Sequence, residues 1–266
     1  MTLRYLANDG GRGSRPLALA HRGFSPAGDE NSLAAFGRAV ELGFGYLEID
    51  VRTSSDGVVM VFHDQTLERV TDGTGRLTDH TRTELAGIHL RGGGQIPTLE
   101  EVLLRWPGLR LNIDVKDDSS VAPVAELVER LQVHDRVLIA SFSDRRRLSV
   151  LKRLTRRTAS SAGIGVNALV TLLGPLGLTR AISRAARIDA VQVPVRYGAI
   201  PVVTDGYVRR CHDAGLYVHV WTINDEPAME QLLGLGVDGL VSDRADILAR
   251  VMDRTGYWPQ GPVGEN

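Results

Sequence analysis

Short apolar runs recur along the chain, each followed by a longer segment in which apolar residues return every three or four positions. Eight short runs read as strands: Leu17–Ala20, Tyr46–Val51, Leu109–Val115, Val137–Phe142, Thr158–Gly163, Ala190–Val193, Tyr217–Thr222 and Gly239–Ser242. The fifth is the weakest, because Ser160, Ser161 and Gly163 dilute it. Between the runs, Ser32–Leu42, Val121–Gln132, Asp144–Arg153, Asp205–Ala214 and Pro227–Leu235 carry helical periodicity. Strands alternating with helices predict βα units and a parallel sheet. Eight such units over roughly 250 residues predict an α/β fold of the closed (β/α)8 TIM-barrel type. An open doubly wound sheet fits less well, since no glycine-rich phosphate loop follows the first strand; Gly92–Gly94 is a bare glycine run in a polar loop.

One stretch breaks the rhythm. Nearly sixty residues separate the second and third runs, more than a helical crossover needs. They hold an extra strand, Val58–Phe62, a polar segment through Gly94, and a capped helix opening at Pro97–Thr98–Leu99–Glu100. This predicts a small inserted subdomain, about 64–106, above the barrel mouth. The expected organisation is a flexible tail over 1–15, rich in Gly10, Gly11 and Gly13, one barrel domain over 16–252, and a second tail over 253–266.

Composition narrows the function. The chain of 266 residues is 43% hydrophobic, enough for a large core, and its 24% charged residues balance to a net charge of −1. That argues against disorder and against nucleic acid as a partner. Any affinity for phosphate must come from a local site. The single cysteine, Cys211, forms no internal disulfide, Met1 to Pro16 has no apolar signal-like stretch, and no segment approaches the run of about 20 apolar residues that spans a bilayer. A soluble cytoplasmic protein without stable membrane insertion is expected; the sequence says nothing of its oligomeric state.

Barrel enzymes build their sites from the C-terminal ends of strands. There the chain places His21–Arg22–Gly23, then Glu48 and Asp50, then Asp114 and Lys116, and finally Trp221. Residues i and i+2 share a strand face, so Glu48 and Asp50 point together, and Asp114 and Lys116 repeat the arrangement. Carboxylates facing a barrel interior are costly unless paired or bound to a cation. Three of them suit one divalent ion with oxygen ligands, Mg²⁺ or Ca²⁺, with Mn²⁺ also possible. The hairpin signal Ser55–Asp56–Gly57–Val58 predicts a two-residue turn with Asp56–Gly57 at its centre. In that register Asp50 faces His63, about 5 Å away. Two histidines beside a bound cation, with Arg22 and Lys116 close by, suit acid–base chemistry on a phosphodiester monoanion.

These residues resemble a known family, the glycerophosphodiester phosphodiesterases. The likeness rests on His21–Arg22–Gly23, Glu30–Asn31–Ser32–Leu33–Ala34–Ala35–Phe36, Glu48–Ile49–Asp50–Val51, Asp56–Gly57, and His63–Asp64 with Leu67 and Arg69. It continues through Ile96–Pro97–Thr98–Leu99–Glu100–Glu101, Asn112–Ile113–Asp114–Val115–Lys116, Ser141–Phe142, Trp221–Thr222, Gly236–Val237–Asp238–Gly239 and Ser242–Asp243. The resemblance implies a barrel with a small inserted subdomain that hydrolyses glycerophosphodiesters to sn-glycerol 3-phosphate and an alcohol. It implies His21 and His63 as general acid and base, Glu48, Asp50 and Asp114 as metal ligands, Arg22 and Lys116 on the phosphate, and Trp221 in the glycerol pocket. Two departures stand out. The family usually has Glu where this chain has Asp114, which shortens one ligand arm, and Pro where it has Asp29, which removes a rigid residue from that loop.

Competing expectations are a lysophospholipase D-like or cyclising phospholipase-like phosphodiesterase, and a non-catalytic glycerol-phosphate-binding barrel. The last would lack a histidine or a carboxylate, and none is missing. His80, His89, His134 and His212 read as incidental, His219 as a candidate pocket residue beside Trp221, and Ser141 as a polar rim residue. The basic run of Arg145–Arg147, Lys152, Arg153, Arg156 and Arg157 reads as a solvated helix face, with attraction to an anionic membrane or polyanion as the alternative. Val166–Leu178 is unusually apolar for the segment after a barrel strand. It fits a packed crossover, or in part an apolar wall beside the mouth that admits a lysophospholipid chain.

Overall fold

Alternation along the strands sorts the side chains into two apolar layers. In the computed structural model, which describes residues 3–6 and 15–260, eleven strands form: β1 Leu17–His21, β2 Tyr46–Thr53, β3 Val59–Val61, β4 Arg110–Val115, β5 Val137–Ala140, β6 Ala159–Ser160, β7 Ala190–Val193, β8 Arg196–Tyr197, β9 Ile200–Pro201, β10 Tyr217–Val220 and β11 Gly239–Ser242. The helices are α1 Leu33–Glu41, α2 Arg82–Leu85, α3 Leu99–Arg105, α4 Val121–Leu131, α5 Asp144–Leu151, α6 Ile164–Leu173, α7 Thr179–Ala186, α8 Asp205–Ala214, α9 Glu226–Gly234 and α10 Ala245–Arg254. Residues such as Ala18, Ala20, Leu47, Ile49, Val51, Ile113, Val191 and Val218 turn outward to the helices. Leu17, Leu19, Tyr46, Leu138, Ala140, Tyr217 and Val241 fill the lumen.

Hydrogen bonding runs in the order β6-β5-β4-β2-β1-β11-β10-β7, with parallel pairing throughout. The ring closes between β6 and β7, where Asp189 donates to the Ser160 carbonyl at 2.8 Å and Ala162 to that of Ala190 at 2.9 Å. The fold is thus a (β/α)8 barrel. β6 is only two residues long, as its diluted sequence suggested. Arg147 of α5, fully buried, donates to Ser160 Oγ at 3.0 Å and to the Ala186 carbonyl at 2.8 Å, tying that weak strand to the end of α7.

Three boundary expectations change. The insertion has its own small core of Met60, Phe62, Leu67, Val70, Leu77, Leu85, Leu90 and Ile96. α3, expected within it, instead packs Leu99, Val102 and Leu103 on the barrel core and serves as the crossover from β2 to β4. The ends are not simply tails either. Tyr5 and Leu6 are buried in the lumen cluster, and Tyr46 Oη donates to the Tyr5 carbonyl at 3.1 Å. At the other end Trp258 packs edge-on against Phe44 at 4.7 Å, and Gln260 bonds Ala18 N at 2.8 Å and Pro16 O at 2.7 Å. Gly10, Gly11 and Gly13, and residues 261–266, lie outside the described residues.

The hairpin register is also corrected. β2 and β3 pair Val51 with Val61 and Thr53 with Val59, so Asp50 lies opposite Phe62, whose N–H donates to Asp50 O at 2.9 Å. The loop holds three residues, not two. Gly57 donates to Ser54 O at 3.0 Å and takes a left-handed φ of +87°, the position a glycine fills in a three-residue turn. His63, the predicted partner, lies one residue beyond the observed one.

Candidate active site

Catalytic candidates gather at the C-terminal end of the barrel because the inward-facing residues of β1, β2 and β4 become polar in their last turn of pleat. β1 ends at His21, after which Arg22 (φ +55°) and Gly23 (φ +85°) turn the chain sharply. Arg22 N–H donates to Glu48 O at 2.8 Å, and its carbonyl accepts from Asn31 N at 2.9 Å. Gly23 is required twice, by its φ and because a Cβ there would lie 2.8 Å from the Ala35 carbonyl carbon. Asp29 is buried and held by Arg38 at 2.6 Å and by Ser32 Oγ at 3.2 Å, so ion pairing holds this loop to α1.

Glu48, Asp50 and Asp114 are all buried, and one oxygen from each lies within 4.8 Å of the others. Asp50 and Asp114 are register partners on adjacent strands, which explains their closeness. Asp50 accepts Lys116 Nζ at 2.7 Å and Asn31 Nδ2 at 3.0 Å, and lies 3.0 Å from Arg22 Nε, close as charges but not aligned as a hydrogen bond. Lys116 also donates to Asp114 at 2.7 Å. Burial opposes the charge on Asp50, yet Lys116 and Arg22 outweigh it and hold its carboxyl at about 2. Burial and then Asp50's charge push Glu48 up to about 7, and burial raises Asp114. Glu48 Oε2 and Asp114 Oδ1 are buried with no hydrogen-bond partner. Orphaned buried carboxylate oxygens are costly. Two of them beside Asp50 fit the donor set of a hard divalent cation, Mg²⁺, Mn²⁺ or Ca²⁺.

The two histidines flank this cluster. His21 Nδ1 bonds Asp243 at 2.6 Å, whose other oxygen accepts Asn224 Nδ2 at 2.8 Å, leaving His21 Nε2 3.6 Å from Glu48. His63 Nδ1 bonds Asp64 at 2.5 Å, so its Nε2 is the ring nitrogen not engaged by Asp64. Asp64 is held by Arg69, which also bridges to Glu30 at 2.7 Å, and Glu30 accepts Arg22 at 2.8 Å. Burial would lower His21, but Glu48 and Asp243 outweigh it and raise it; burial lowers His63 despite Asp50 and Asp64. The charge of His63 acts on both Asp50 and Asp114, so it reaches the site despite the shifted register. Seven of the sequence candidates, His21, Arg22, Glu48, Asp50, His63, Asp114 and Lys116, thus interact within or beside the cluster, and Trp221 is linked to it only through Phe142. Asp243, Asp64, Asn31 and Arg69 stood in the motifs without a role, and only contacts across the fold supply one.

Opposite the histidines, Trp221 packs against Phe142 at 5.9 Å, and Lys116 Nζ lies 5.3 Å from the Phe142 ring. His219 is fully buried below, with Gln192 Nε2 3.3 Å from its Nδ1, so it supports the lumen wall and does not line an open pocket. Ser141 is buried, and its Oγ donates to the Val115 carbonyl at 2.7 Å. Among the described residues no helix is long and apolar enough to cross a membrane.

Comparison with known proteins agrees with this arrangement. The glycerophosphoryl diester phosphodiesterase family model matches residues 21–247. The chain is 42% identical to the "Probable glycerophosphodiester phosphodiesterase 2" of Mycobacterium tuberculosis, over 97% of this chain and 96% of that one. It is 32% identical to the glycerophosphodiester phosphodiesterase of Caldanaerobacter subterraneus subsp. tengcongensis, over 91% and 100% of the two chains. An Oleispira antarctica phosphodiesterase, solved in complex with its product sn-glycerol-3-phosphate, superposes with a TM-score of 0.76 at 26% identity, covering 90% of this chain and 97% of that one. The chain therefore belongs to the glycerophosphodiester phosphodiesterase family and is an enzyme of that kind.

Proposed function

We propose that the chain hydrolyses glycerophosphodiesters to sn-glycerol 3-phosphate and an alcohol in a metal-dependent reaction, with His21 and His63 as the acid–base pair. The observation that carries this is the cluster of Glu48, Asp50 and Asp114, with two orphaned carboxylate oxygens, flanked by both histidines. One divalent cation held there would supply Lewis-acid stabilisation of charge on the phosphoryl oxygens. Three carboxylates and one such ion leave a single negative charge, which Arg22 and Lys116 turn into a single positive one, suited to a phosphodiester monoanion.

Arg22 and Lys116 bind and orient the phosphate, and Trp221 lines the glycerol side. One histidine takes a proton from the attacking water as its oxygen bonds to phosphorus. The other gives a proton to the alcohol oxygen as the P–O bond to the head group breaks. Asp243 and Asp64, on the Nδ1 atoms, fix the tautomer that turns each Nε2 inward. Turnover of glycerophosphocholine should vanish with EDTA and return with Mg²⁺, Mn²⁺ or Ca²⁺. Activity undiminished after metal stripping would overturn the proposal.

A further inference from the structure

The two histidines are supported in different ways. His21 ends β1, and its partner Asp243 follows β11, the strand paired with β1. Asn224 completes that support, its Oδ1 accepting Asp243 N–H at 2.9 Å and Ser242 Oγ at 3.1 Å. Every member belongs to the barrel. His63 instead stands where the chain leaves the barrel for the insertion, which has a core of its own. Its backbone is tied to β2, since Arg52 Nε donates to the His63 carbonyl at 3.0 Å. Its ring is set by Asp64, and Asp64 by Arg69, whose neighbours Leu67 and Val70 sit in the insertion's core.

Arg69 spans the gap back to the barrel. Its Nη2 donates to Glu30 Oε1 at 2.7 Å and its Nη1 to Glu30 Oε2 at 3.2 Å. Nη2 also reaches Asp64 Oδ1 at 3.0 Å, and Nε bonds Asp64 Oδ2. Each carboxylate therefore takes two bonds from one guanidinium, a fork that a lysine ammonium does not reproduce. Glu30 Oε1 accepts Arg22 Nη1 at 2.8 Å as well. A single oxygen thus joins the phosphate-binding arginine to the support of His63. Among the described residues, the two Arg69–Glu30 bonds are the hydrogen bonds between the insertion and the β1–α1 loop.

We propose that Arg69, anchored by Glu30, is a positioning residue that registers the His63 ring against the phosphate held by Arg22. The proposal rests on the reading of His21 and His63 as the acid–base pair. Exposed ion pairs contribute little to stability, and the Arg69 side chain is 48% exposed, so the bridge adds little to the fold itself. What it fixes is the angle of the imidazole and hence the aim of Nε2. Asp64 alone cannot fix that angle, because a carboxylate next in sequence moves with the histidine it holds. Catalysis is sensitive to such aim, a misplacement of about 1 Å costing roughly a hundredfold.

The test uses the metal-loaded enzyme and glycerophosphocholine. Arg69→Gln should lower kcat about thirtyfold and leave KM within about twofold, since Arg22 keeps its bond to Glu30. Arg69→Lys, which retains the charge and loses the fork, should recover only a small part of the loss. With the position open to solvent, guanidinium ion at tens of millimolar should restore activity to Arg69→Ala several-fold, and urea at the same concentration should not. Glu30→Gln added to Arg69→Gln should cost no further kcat, the non-additivity expected of two parts of one support. Melting temperatures should stay within a few degrees of wild type. Wild-type kcat in Arg69→Gln overturns the proposal. So does a loss that guanidinium does not restore, or one that follows a collapse in melting temperature, either of which would make Arg69 a structural staple. Wild-type turnover by His63→Ala would overturn instead the acid–base reading beneath it.

Discussion

On one side of the mouth, the ends of β1, β2, β4 and β11 present His21, Glu48, Asp50, Asp114, Lys116 and Asp243; on the other, the ends of β5, β6, β7 and β10 present Phe142, Ile164, Tyr197 and Trp221. Both halves rest on the same alternation, with valine, leucine and isoleucine facing the helices and the lumen closed beneath. They differ in what holds the rim residues. Except for Glu48, whose nearest charged neighbour is His21 at 3.6 Å, each side chain of the polar half has a hydrogen-bonded partner, so its position is fixed by neighbouring charges. The rim of the apolar half is held from its backbone and leaves large surfaces open, Tyr197 at 68% and Ile200 at 62% exposure among them. Chemistry demands the first kind of precision, and recognition of an apolar group tolerates the second.

Substitutions can break that contrast. The largest effect belongs to the histidines: His21→Ala and His63→Ala should each lower kcat by about a thousandfold while circular dichroism and melting remain native. Next is acid stability. His219, in the lumen below the apolar half, is pushed down to about 4 by burial. Its folded value lies below the unfolded one, so the stability it permits is full above pH about 6.5 and is lost as pH falls towards 4, by up to roughly 3 kcal/mol. His219→Gln should flatten the denaturation midpoint across that window, and an unchanged slope would count against the assignment. Asp243→Asn should reduce kcat on the order of a hundredfold by loosening the aim of His21. Because Asp243 raises His21, the limb of the pH–rate profile that belongs to His21 should also move to lower pH, a shift that a purely structural role would not produce. Tyr197→Ser, at the smallest end, should leave glycerophosphocholine hydrolysis within about twofold; a large loss would show that the apolar half takes part in the chemistry.

The barrel and the identity of the polar half were legible because they depend on local periodicity. Glu48 and Asp50 had to share a face with each other and not with Ile49, whatever the rest of the chain did. The turn at Gly57 differs from its local signal, since Asp-Gly serves both two- and three-residue loops and the choice depends on the strands' pairing. The pairing of His21 with Asp243 spans 222 positions and leaves no local mark. The same holds for Tyr5 and Leu6, two apolar residues in a polar stretch, whose burial follows only once a barrel floor exists to receive them. Asp29 shows the opposite limit: a position where the resemblance implies proline reads as a looser loop, and Arg38, a turn and a half along α1, supplies the constraint instead.

The claim beneath all of this is that Glu48, Asp50 and Asp114 share one divalent ion between His21 and His63. Crystals grown with Mn²⁺ and sn-glycerol 3-phosphate, measured at a wavelength where manganese scatters anomalously, test it directly. The account predicts one strong anomalous peak in contact with all three carboxylates, with the phosphate beside it and within reach of both histidines. A peak elsewhere, or a bound phosphate with no metal against those carboxylates, would contradict it.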